Sequence, residues 1–215
     1  MKNNSLIAFV LVGILIIFGA GAYFYSNYSS NELSKESENV LVRDDALISG
    51  NSDAKVTIVE FLDPSCGTCI YFFPIVESIK NKYEGKVKVV YRFLPYYSGS
   101  DFIFSLVKAA NEQGKLDETL KQFFTQHERW YANHQLNHFV AWGIMQEADV
   151  NIEDAQEFLT KNSEQIQKHL KQNEDDAQTL KVTGTPTFYV NGKLLTKLSE
   201  IDLLKLVESE IKKFY

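Results

Sequence analysis

The chain carries Val59-Glu-Phe-Leu-Asp-Pro-Ser-Cys-Gly-Thr-Cys69, a segment in which an apolar, β-branched run gives way to the only two cysteines of the protein. The run over residues 55–61 predicts a buried parallel strand, and the pattern that follows predicts a helix. A thiol at a helix N-terminus lies near unpaired N–H groups and the positive end of the macrodipole, which stabilise a thiolate. The spacing therefore predicts a redox-active pair, with Cys66 as the exposed nucleophile and Cys69 as the shielded thiol.

Two other interpretations of this cysteine pair stay open. An inert bridge between Cys66 and Cys69 would hold little structure together, since the stabilisation from loop closure grows with loop length. A zinc site could recruit His134 and His138, although zinc motifs usually place their histidines closer to the cysteines. The redox interpretation is favoured; it requires neither a metal nor a separate cofactor, because the Cys66–Cys69 disulfide is itself the redox centre.

The segments around the cysteines indicate an α/β fold. A helix containing Pro74 is followed by a second strand over residues 86–93, and this strand–helix–strand order implies a right-handed parallel crossover. From about residue 101 to residue 182 the sequence shows helical periodicity and no strand signal. We therefore expect an all-helical insertion rather than a second domain.

Strand character returns near the C-terminus. The run Thr187-Phe-Tyr-Val190, then Asn191-Gly192 and residues 193–195, is typical of a β-hairpin. A capping-box pattern, Ser199-Glu-Ile-Asp202, opens a final amphipathic helix. We expect the inner face of that helix to hold four apolar residues: Ile201, Leu204, Val207 and Ile211.

The N-terminal residues differ in character from the rest. Residues 6–25 carry no charged side chain, follow a lysine and are just long enough to span a bilayer, which takes about 20 residues. The pattern predicts a cytoplasmic N-terminus over residues 1–5 and a signal anchor over 6–25, with the remainder exported. A cleaved signal peptide ending near Ala20-Gly-Ala22 is the alternative. We expect residues 26–39 to form a linker.

The location and the charge limit the classes of partner. An exported domain lies in the periplasm or on the outer face of the cytoplasmic membrane, where disulfides persist. The formal net charge is −6 and no Lys/Arg cluster is present, which argues against a nucleic-acid partner.

Two distant motifs give the chain a family resemblance. The pattern Cys66-Gly-Thr-Cys69 after a strand, with Gly184-Thr-Pro-Thr187 before a hairpin, resembles the thioredoxin fold. The long helical insertion makes residues 40–215 similar to the DsbA family of thiol–disulfide oxidoreductases. The resemblance implies that Cys66 exchanges disulfides with the substrate and that Cys69 resolves the mixed disulfide.

The resemblance also implies a substrate-binding element at Thr185-Pro186. Pro186 is expected to be cis and to face the Cys66 sulfur, with backbone groups of Thr185 available to pair with an extended substrate. Thr185 is also expected to affect redox poise and partner release. An ordinary trans proline at the start of a strand is the alternative.

Glu60 is the acid that the family places beneath the dithiol. When Cys69 resolves a mixed disulfide it loses a proton, which a partly buried carboxylate is suited to accept. The alternative for Glu60 is a structural acid paired with a lysine. Asp63, nearer the cysteines in sequence, is a second candidate for the proton acceptor.

Gly67 and Thr68, between the cysteines, are expected to tune the redox potential. Strongly oxidising DsbA proteins often have Pro-His there, and neither residue here can supply the charge of a histidine. We therefore expect a potential intermediate between oxidant and reductant.

The resulting hypothesis is a monomeric, membrane-tethered oxidase of exported protein thiols, re-oxidised by a membrane partner similar to DsbB. A reductase or isomerase with a different redox partner is the nearer alternative, and a dithiol metal-handling protein is the more distant one. Some aromatic residues near the motif are expected to form an apolar collar for substrate and the others to lie in the core: Tyr71, Phe72, Phe73, Tyr96 and Tyr97.

Overall fold

The computed structural model describes residues 40–215, which form a mixed β-sheet with helices on both faces. The segments predicted over residues 1–5, 6–25 and 26–39 lie outside the described residues. None of the helices between residues 40 and 215 combines the length and the hydropathy that a membrane span requires. The elements, in chain order, are β1 (Leu47–Gly50), β2 (Val56–Leu62), α1 (Gly67–Lys82), β3 (Val87–Phe93), α2 (Ser100–Glu112), α3 (Leu116–Thr125), α4 (His127–Trp130), β4 (Tyr131–Ala132), β5 (Gln135–Leu136), α5 (His138–Glu147), α6 (Ile152–Thr179), β6 (Thr187–Val190), β7 (Lys193–Leu194) and α7 (Glu200–Phe214).

The central strand of the sheet is β2. It pairs in parallel with β3 and antiparallel with β6, and the complete strand order is β1-β3-β2-β6-β7. Because α1 connects β2 to β3, the parallel crossover expected from the sequence is present. Both faces of β2 are covered, which explains why its sequence is apolar almost throughout.

Alternate residues of β2 face opposite sides of the sheet. Ile58 and Leu62 join the main core beneath α1 and the helical insertion, whereas Val59 and Phe61 join a smaller core on the other face. Glu60 has the same alternation as Ile58 and Leu62. Its side chain is therefore on the α1 face, beneath the segment that carries the cysteines.

The insertion between β3 and β6 contains helices α2 to α6 and one small hairpin. Phe73 of α1 stacks on Phe124 of α3 with ring centroids 4.4 Å apart, which joins the insertion to the first helix. The expectation of no strand in this region is wrong, because β4 and β5 pair antiparallel. The hairpin turns through Asn133 and His134, whose φ angles of 53° and 60° are those of a type I′ turn. The signal was missed because His is not one of the usual residues of that turn.

The C-terminal helix begins as the capping box predicts, and three of the four residues assigned to its inner face lie in or against the main core: Leu204, Val207 and Ile211. The Ser199 side chain accepts a hydrogen bond from the Asp202 N–H, which is the expected N-cap. Ile201 is 65 % exposed, so its assignment to the inner face is wrong. The fully buried residues are Leu203 and Val207, an i, i+4 pair that faces the main core.

A buried arginine ties the insertion to the sheet on the face opposite α1. The Arg92 side chain of β3 is fully buried, and its Nη2 lies 2.5 Å from Asp176 Oδ2 of α6. Its Nε donates to Asn173 Oδ1 at 2.8 Å, and its Nη1 donates to the carbonyl of Leu41 at 2.9 Å. Asp176 also binds Arg43. One carboxylate therefore holds together β3, α6 and the start of the domain.

We expect Asp176→Ala to destabilise the fold by about 3–5 kcal/mol, because it removes the carboxylate that forms the ion pair with the buried Arg92 guanidinium. The matched control is Asp175→Ala on the same helix, which removes an exposed ion pair with Lys171 and is expected to cost less than about 1 kcal/mol. Denaturant unfolding of the full chain measures both free energies. Equal losses for the two variants would contradict the role given to the Arg92–Asp176 pair.

Candidate functional site

Cys66 lies at the junction between β2 and α1. It is the N-cap residue of α1, in an extended conformation (φ −80°, ψ 120°), and its carbonyl accepts the Ile70 N–H at 3.0 Å. No acidic residue lies in the first turn of the helix, so nothing there opposes a negative charge on the sulfur. Both cysteines are free thiols in this structure. The expectation that Cys66 is exposed is wrong: the residue is only 7 % exposed, because its sulfur lies against the Thr185 backbone.

The pKa of Cys66 is lowered to about 5. The largest cause is the hydrogen bond from the Cys69 thiol, and the Thr185 side chain and the N–H groups of Cys69 and Thr68 add to it. These donors outweigh the partial burial of the sulfur, which acts in the opposite direction. At neutral pH Cys66 is therefore a thiolate, the form that is both a nucleophile and a good leaving group.

Cys69 is the opposite case. It is completely buried, one helical turn into α1. Burial raises its pKa well above the ordinary value, and the hydrogen bond to Cys66 and the charge of Glu60 act in the same direction. Cys69 therefore remains a protonated thiol at neutral pH. It can attack a disulfide only when another group accepts its proton.

The Thr185-Pro186 motif, distant in sequence, lies next to the cysteines in the folded protein. The Thr185–Pro186 peptide bond is cis, and the segment leads directly into β6, which pairs with β2. The Cys66 sulfur lies 3.3 Å from the Thr185 carbonyl oxygen. Residues 119 positions apart in the chain thus form one site, with the edge of the Thr185 backbone beside the reactive sulfur.

Glu60 is sealed beneath the dithiol. It is 1 % exposed, and its Oε2 has no hydrogen-bond partner among residues 40–215. Its pKa is raised to about 8, first by burial and then by the charges of Cys66 and Glu77. No lysine of the described chain forms an ion pair with it, so the alternative of a lysine-paired structural acid does not fit. The Glu60 carboxyl group therefore holds a proton at neutral pH. Because its pKa is only slightly above neutral pH, it can also release that proton.

Asp63, the other candidate acid, is fully engaged in hydrogen bonds. Its Oδ1 accepts from the Ser65 N–H at 2.7 Å and from the Ser100 hydroxyl at 2.6 Å. Its Oδ2 accepts from the N–H groups of Tyr96 and Tyr97 at 2.7 and 3.0 Å. Asp63 therefore fixes the loop after β3 against the start of α1. Of these contacts, only the one with Ser65 could be predicted from the local sequence, because Asp-Pro-Ser is typical of an Asx turn.

The aromatic residues near the motif divide into two groups. Phe72 and Phe73 are buried in the main core, and the Phe72 ring lies 5.4 Å from that of Phe188 on β6. The other three are exposed to solvent: Tyr71, Tyr96 and Tyr97. The tuning candidates Gly67 and Thr68 are also exposed.

The histidines of the zinc interpretation do not join the cysteines. Within residues 40–215, no group of three or more His, Cys, Asp or Glu side chains is arranged to hold a metal ion. His134 lies in the turn between β4 and β5. His138 begins α5 and packs its ring 4.6 Å from that of Phe102.

The fold and the asymmetric dithiol define a protein of thiol–disulfide exchange chemistry. A thioredoxin family model matches residues 43–209. The chain therefore belongs to the thioredoxin family, as a DsbA-like thiol–disulfide oxidoreductase, and the thioredoxin-like α/β fold predicted from the sequence is confirmed.

Individual relatives agree with this assignment. The chain is 28 % identical, over 226 aligned positions, to the probable disulfide bond formation protein D of Bacillus cereus, covering 99 % of this chain and 100 % of that protein. A thioredoxin-like oxidoreductase from Silicibacter pomeroyi has a TM-score of 0.69 and 26 % identity over 82 % of this chain and 98 % of its own. Oxidised BdbD from Bacillus subtilis has a similar fold, with a TM-score of 0.67 and 22 % identity over 78 % of this chain and 94 % of its own.

The two thiols are expected to differ in alkylation. Iodoacetamide should label Cys66 of the reduced native protein with a half-maximal rate near pH 5, because only the thiolate reacts. Cys69 should remain unlabelled until the protein is denatured, after which both cysteines should react with the ordinary pKa of about 8.5. Peptide mass mapping after a pH series of labelling checks both statements. A half-maximal rate near pH 8.5 for native Cys66 would rule out the stabilised thiolate.

Proposed function

We propose that this protein is an extracytoplasmic oxidase that introduces disulfides into exported proteins. The observation that carries the proposal is the opposite pKa shift of two adjacent thiols, one lowered to about 5 and one raised. A pair of this kind has one sulfur for exchange with a partner and one for intramolecular resolution. The name of the Bacillus cereus relative, a disulfide bond formation protein, is consistent with this direction of transfer.

In the oxidising half-reaction a substrate thiolate attacks the Cys66 sulfur of the Cys66–Cys69 disulfide. The bond between the cysteines breaks, and Cys69 leaves with the electron pair and takes a proton from the Glu60 carboxylic acid. The second substrate thiolate then attacks the substrate sulfur of the mixed disulfide and expels Cys66 as a thiolate. Two electrons have moved from the substrate to the enzyme dithiol, and the substrate holds a new disulfide.

Regeneration runs the same steps against a different disulfide. The Cys66 thiolate attacks the disulfide of a membrane partner similar to DsbB, and one partner thiolate leaves. Glu60 first loses its own proton; the resulting carboxylate accepts the Cys69 proton as Cys69 attacks the Cys66 sulfur. This attack restores the Cys66–Cys69 disulfide and releases the second partner thiolate, so the electrons end in the partner.

The low Cys66 pKa favours the oxidising direction. A stable thiolate stabilises the reduced form and makes the disulfide a stronger oxidant. The nucleophilic cysteine has a pKa of about 7 in thioredoxin and about 3.5 in the strong oxidant DsbA. The value of about 5 here lies between them, which agrees with a Gly67-Thr68 pair that supplies no charge.

The proposal includes export and tethering through residues 6–25. Its support is the uncharged stretch of sequence after a basic residue, which orients the following domain outside the cytoplasm. A monomer tethered in this way would meet exported chains and a membrane partner at the same surface.

Cys69→Ser should trap mixed disulfides with exported proteins through Cys66, because the resolving thiol is absent. Non-reducing electrophoresis after acid quenching should show high-mass adducts that dithiothreitol removes. Cys66→Ser is the matched control and should trap none. Adducts formed through Cys69 instead would show that the two roles are reversed.

The reduction potential of the full chain should lie between those of thioredoxin, about −270 mV, and DsbA, about −120 mV. Equilibration with glutathione buffers, followed by alkylation and mass measurement, gives the value. A potential near that of thioredoxin would contradict the oxidase function and favour a reductase.

A further inference from the structure

The buried position of Glu60 creates a requirement that the exchange chemistry does not meet by itself. Each transfer between Glu60 and Cys69 changes the protonation of a carboxyl group that is 1 % exposed. In strand register Glu60 lies beside Phe188 of β6 on one side and Tyr91 of β3 on the other. The phenyl ring of Phe188 cannot carry a proton, whereas the phenol of Tyr91 can accept and donate one.

Tyr91 extends from Glu60 toward the middle of α1. Its ring is buried among the main core, and its hydroxyl donates to Glu77 Oε1 at 3.4 Å. Burial raises the pKa of Tyr91 well above its ordinary value, and the carboxylates of Glu77, Glu60 and Asp117 raise it further. Tyr91 therefore remains a neutral hydroxyl, which can pass a proton on without ionising.

Glu77 connects this hydroxyl to water. It lines a cavity of about 610 Å³ between α1, α3 and the end of β1. Glu77 Oε1 lies 2.7 Å from Lys80 Nζ, which in turn lies 2.5 Å from Ser49 Oγ and 3.5 Å from Asp117 Oδ2. The Asp117 side chain is 55 % exposed, so solvent reaches this cluster.

We propose that Tyr91 and Glu77 form the proton route between Glu60 and solvent in this cavity. The proposal rests on the exchange function argued above and adds two residues that act through Glu60. After Glu60 protonates Cys69, water in the cavity protonates Glu77. The Glu77 proton moves to the Tyr91 oxygen as the Tyr91 hydroxyl proton moves to Glu60. One proton leaves the solvent and one arrives at Glu60, while Tyr91 and Glu77 return to their starting states. The reverse sequence carries the Glu60 proton to solvent before Cys69 attacks a mixed disulfide.

The charged groups near Glu60 and Glu77 determine how each substitution changes the pKa of Glu60. Cys66, Cys69, Tyr91 and Glu77 are the titratable groups near Glu60, and the negative charge of Glu77 raises the Glu60 pKa. Glu77→Gln therefore has two effects: it removes a group of the proton route, and it lowers the pKa of Glu60 by removing a nearby negative charge. Tyr91→Phe removes the relay hydroxyl and leaves every charge in place. The charged and titratable groups around Glu77 and its cavity are Lys80 of α1, Glu84 after α1, Tyr91 of β3, and three residues of α3: Asp117, Glu118 and Lys121.

The test isolates the step in which Cys69 attacks the mixed disulfide. Reduced full-length protein is reacted with glutathione disulfide, and the Cys66–glutathione adduct is followed by acid quenching and mass spectrometry across a pH series. We expect Tyr91→Phe to slow glutathione release at least about tenfold without moving the pH midpoint. That loss is below the roughly 10²–10⁴-fold that a positioned acid–base group contributes. We expect Glu77→Gln to slow release and to move the midpoint to lower pH.

Two matched controls remove the same groups elsewhere. The Tyr83 hydroxyl donates to Glu208 Oε1 at 2.6 Å, outside the route. Tyr83→Phe and Glu208→Gln should leave the rate and the midpoint within about twofold of the unmodified protein, the level expected for variants that touch no reacting group. Far-UV circular dichroism confirms that each variant is folded. Glu77 is partly exposed, so Glu77→Gln carries the test alone if Tyr91→Phe does not fold.

A double variant separates a proton route from a structural effect. In a Glu60→Gln background, Tyr91→Phe should cause no further loss, because residues that act in one pathway are non-additive. An equal loss in both backgrounds, or variants that match the Tyr83 and Glu208 controls, would overturn the route and leave the exchange function intact. Failure of the unmodified protein to release glutathione at all would overturn both proposals.

Discussion

The hydrogen bond from the Cys69 thiol to the Cys66 sulfur is the interaction on which the site depends. It gives the two thiols opposite properties although they are two residues apart in one helix. The helix N-terminus alone would favour a thiolate at Cys66, but it would not keep Cys69 protonated. Burial of Cys69 does this, and the proton that Cys69 retains is also the donor that stabilises its neighbour.

The arrangement is possible because β2 is the central strand of the sheet. Its carboxyl end leads to Cys66 at the start of α1, while the strand itself is covered on both faces. Asp63 then anchors the loop after β3, and the pairing of β2 with β6 brings Thr185 to the sulfur. The helical insertion is fixed to the same sheet from the opposite face through Arg92. The reactive sulfur is therefore held by elements whose positions are set by the core.

Burial of the dithiol means that the reaction needs a proton acceptor for Cys69 in addition to a nucleophile at Cys66. The pKa of Cys69 is raised so far that resolution needs a proton acceptor, and in the proposed mechanism this acceptor is Glu60, since burial also raises its pKa. The low-dielectric environment that keeps both groups protonated also separates them from solvent. Tyr91 is the register partner of Glu60 on β3, and its hydroxyl donates to Glu77 of α1.

Features that depend on residues close together in the sequence could be predicted from the sequence alone. The strand before the cysteines, the helix that starts at them and the cap at Ser199 follow from side chains within a few positions of one another. The hydrogen bonds of Asp63 to the loop after β3 and the contact between Tyr91 and Glu77 could not be predicted from the sequence. Their partners come from other elements, and the packing of the helices on the sheet brings them together. Periodicity also placed Ile201 inward, where packing instead exposes it. The sequence thus specified which groups can react, and packing across the core set their burial, their pKa values and their access to solvent.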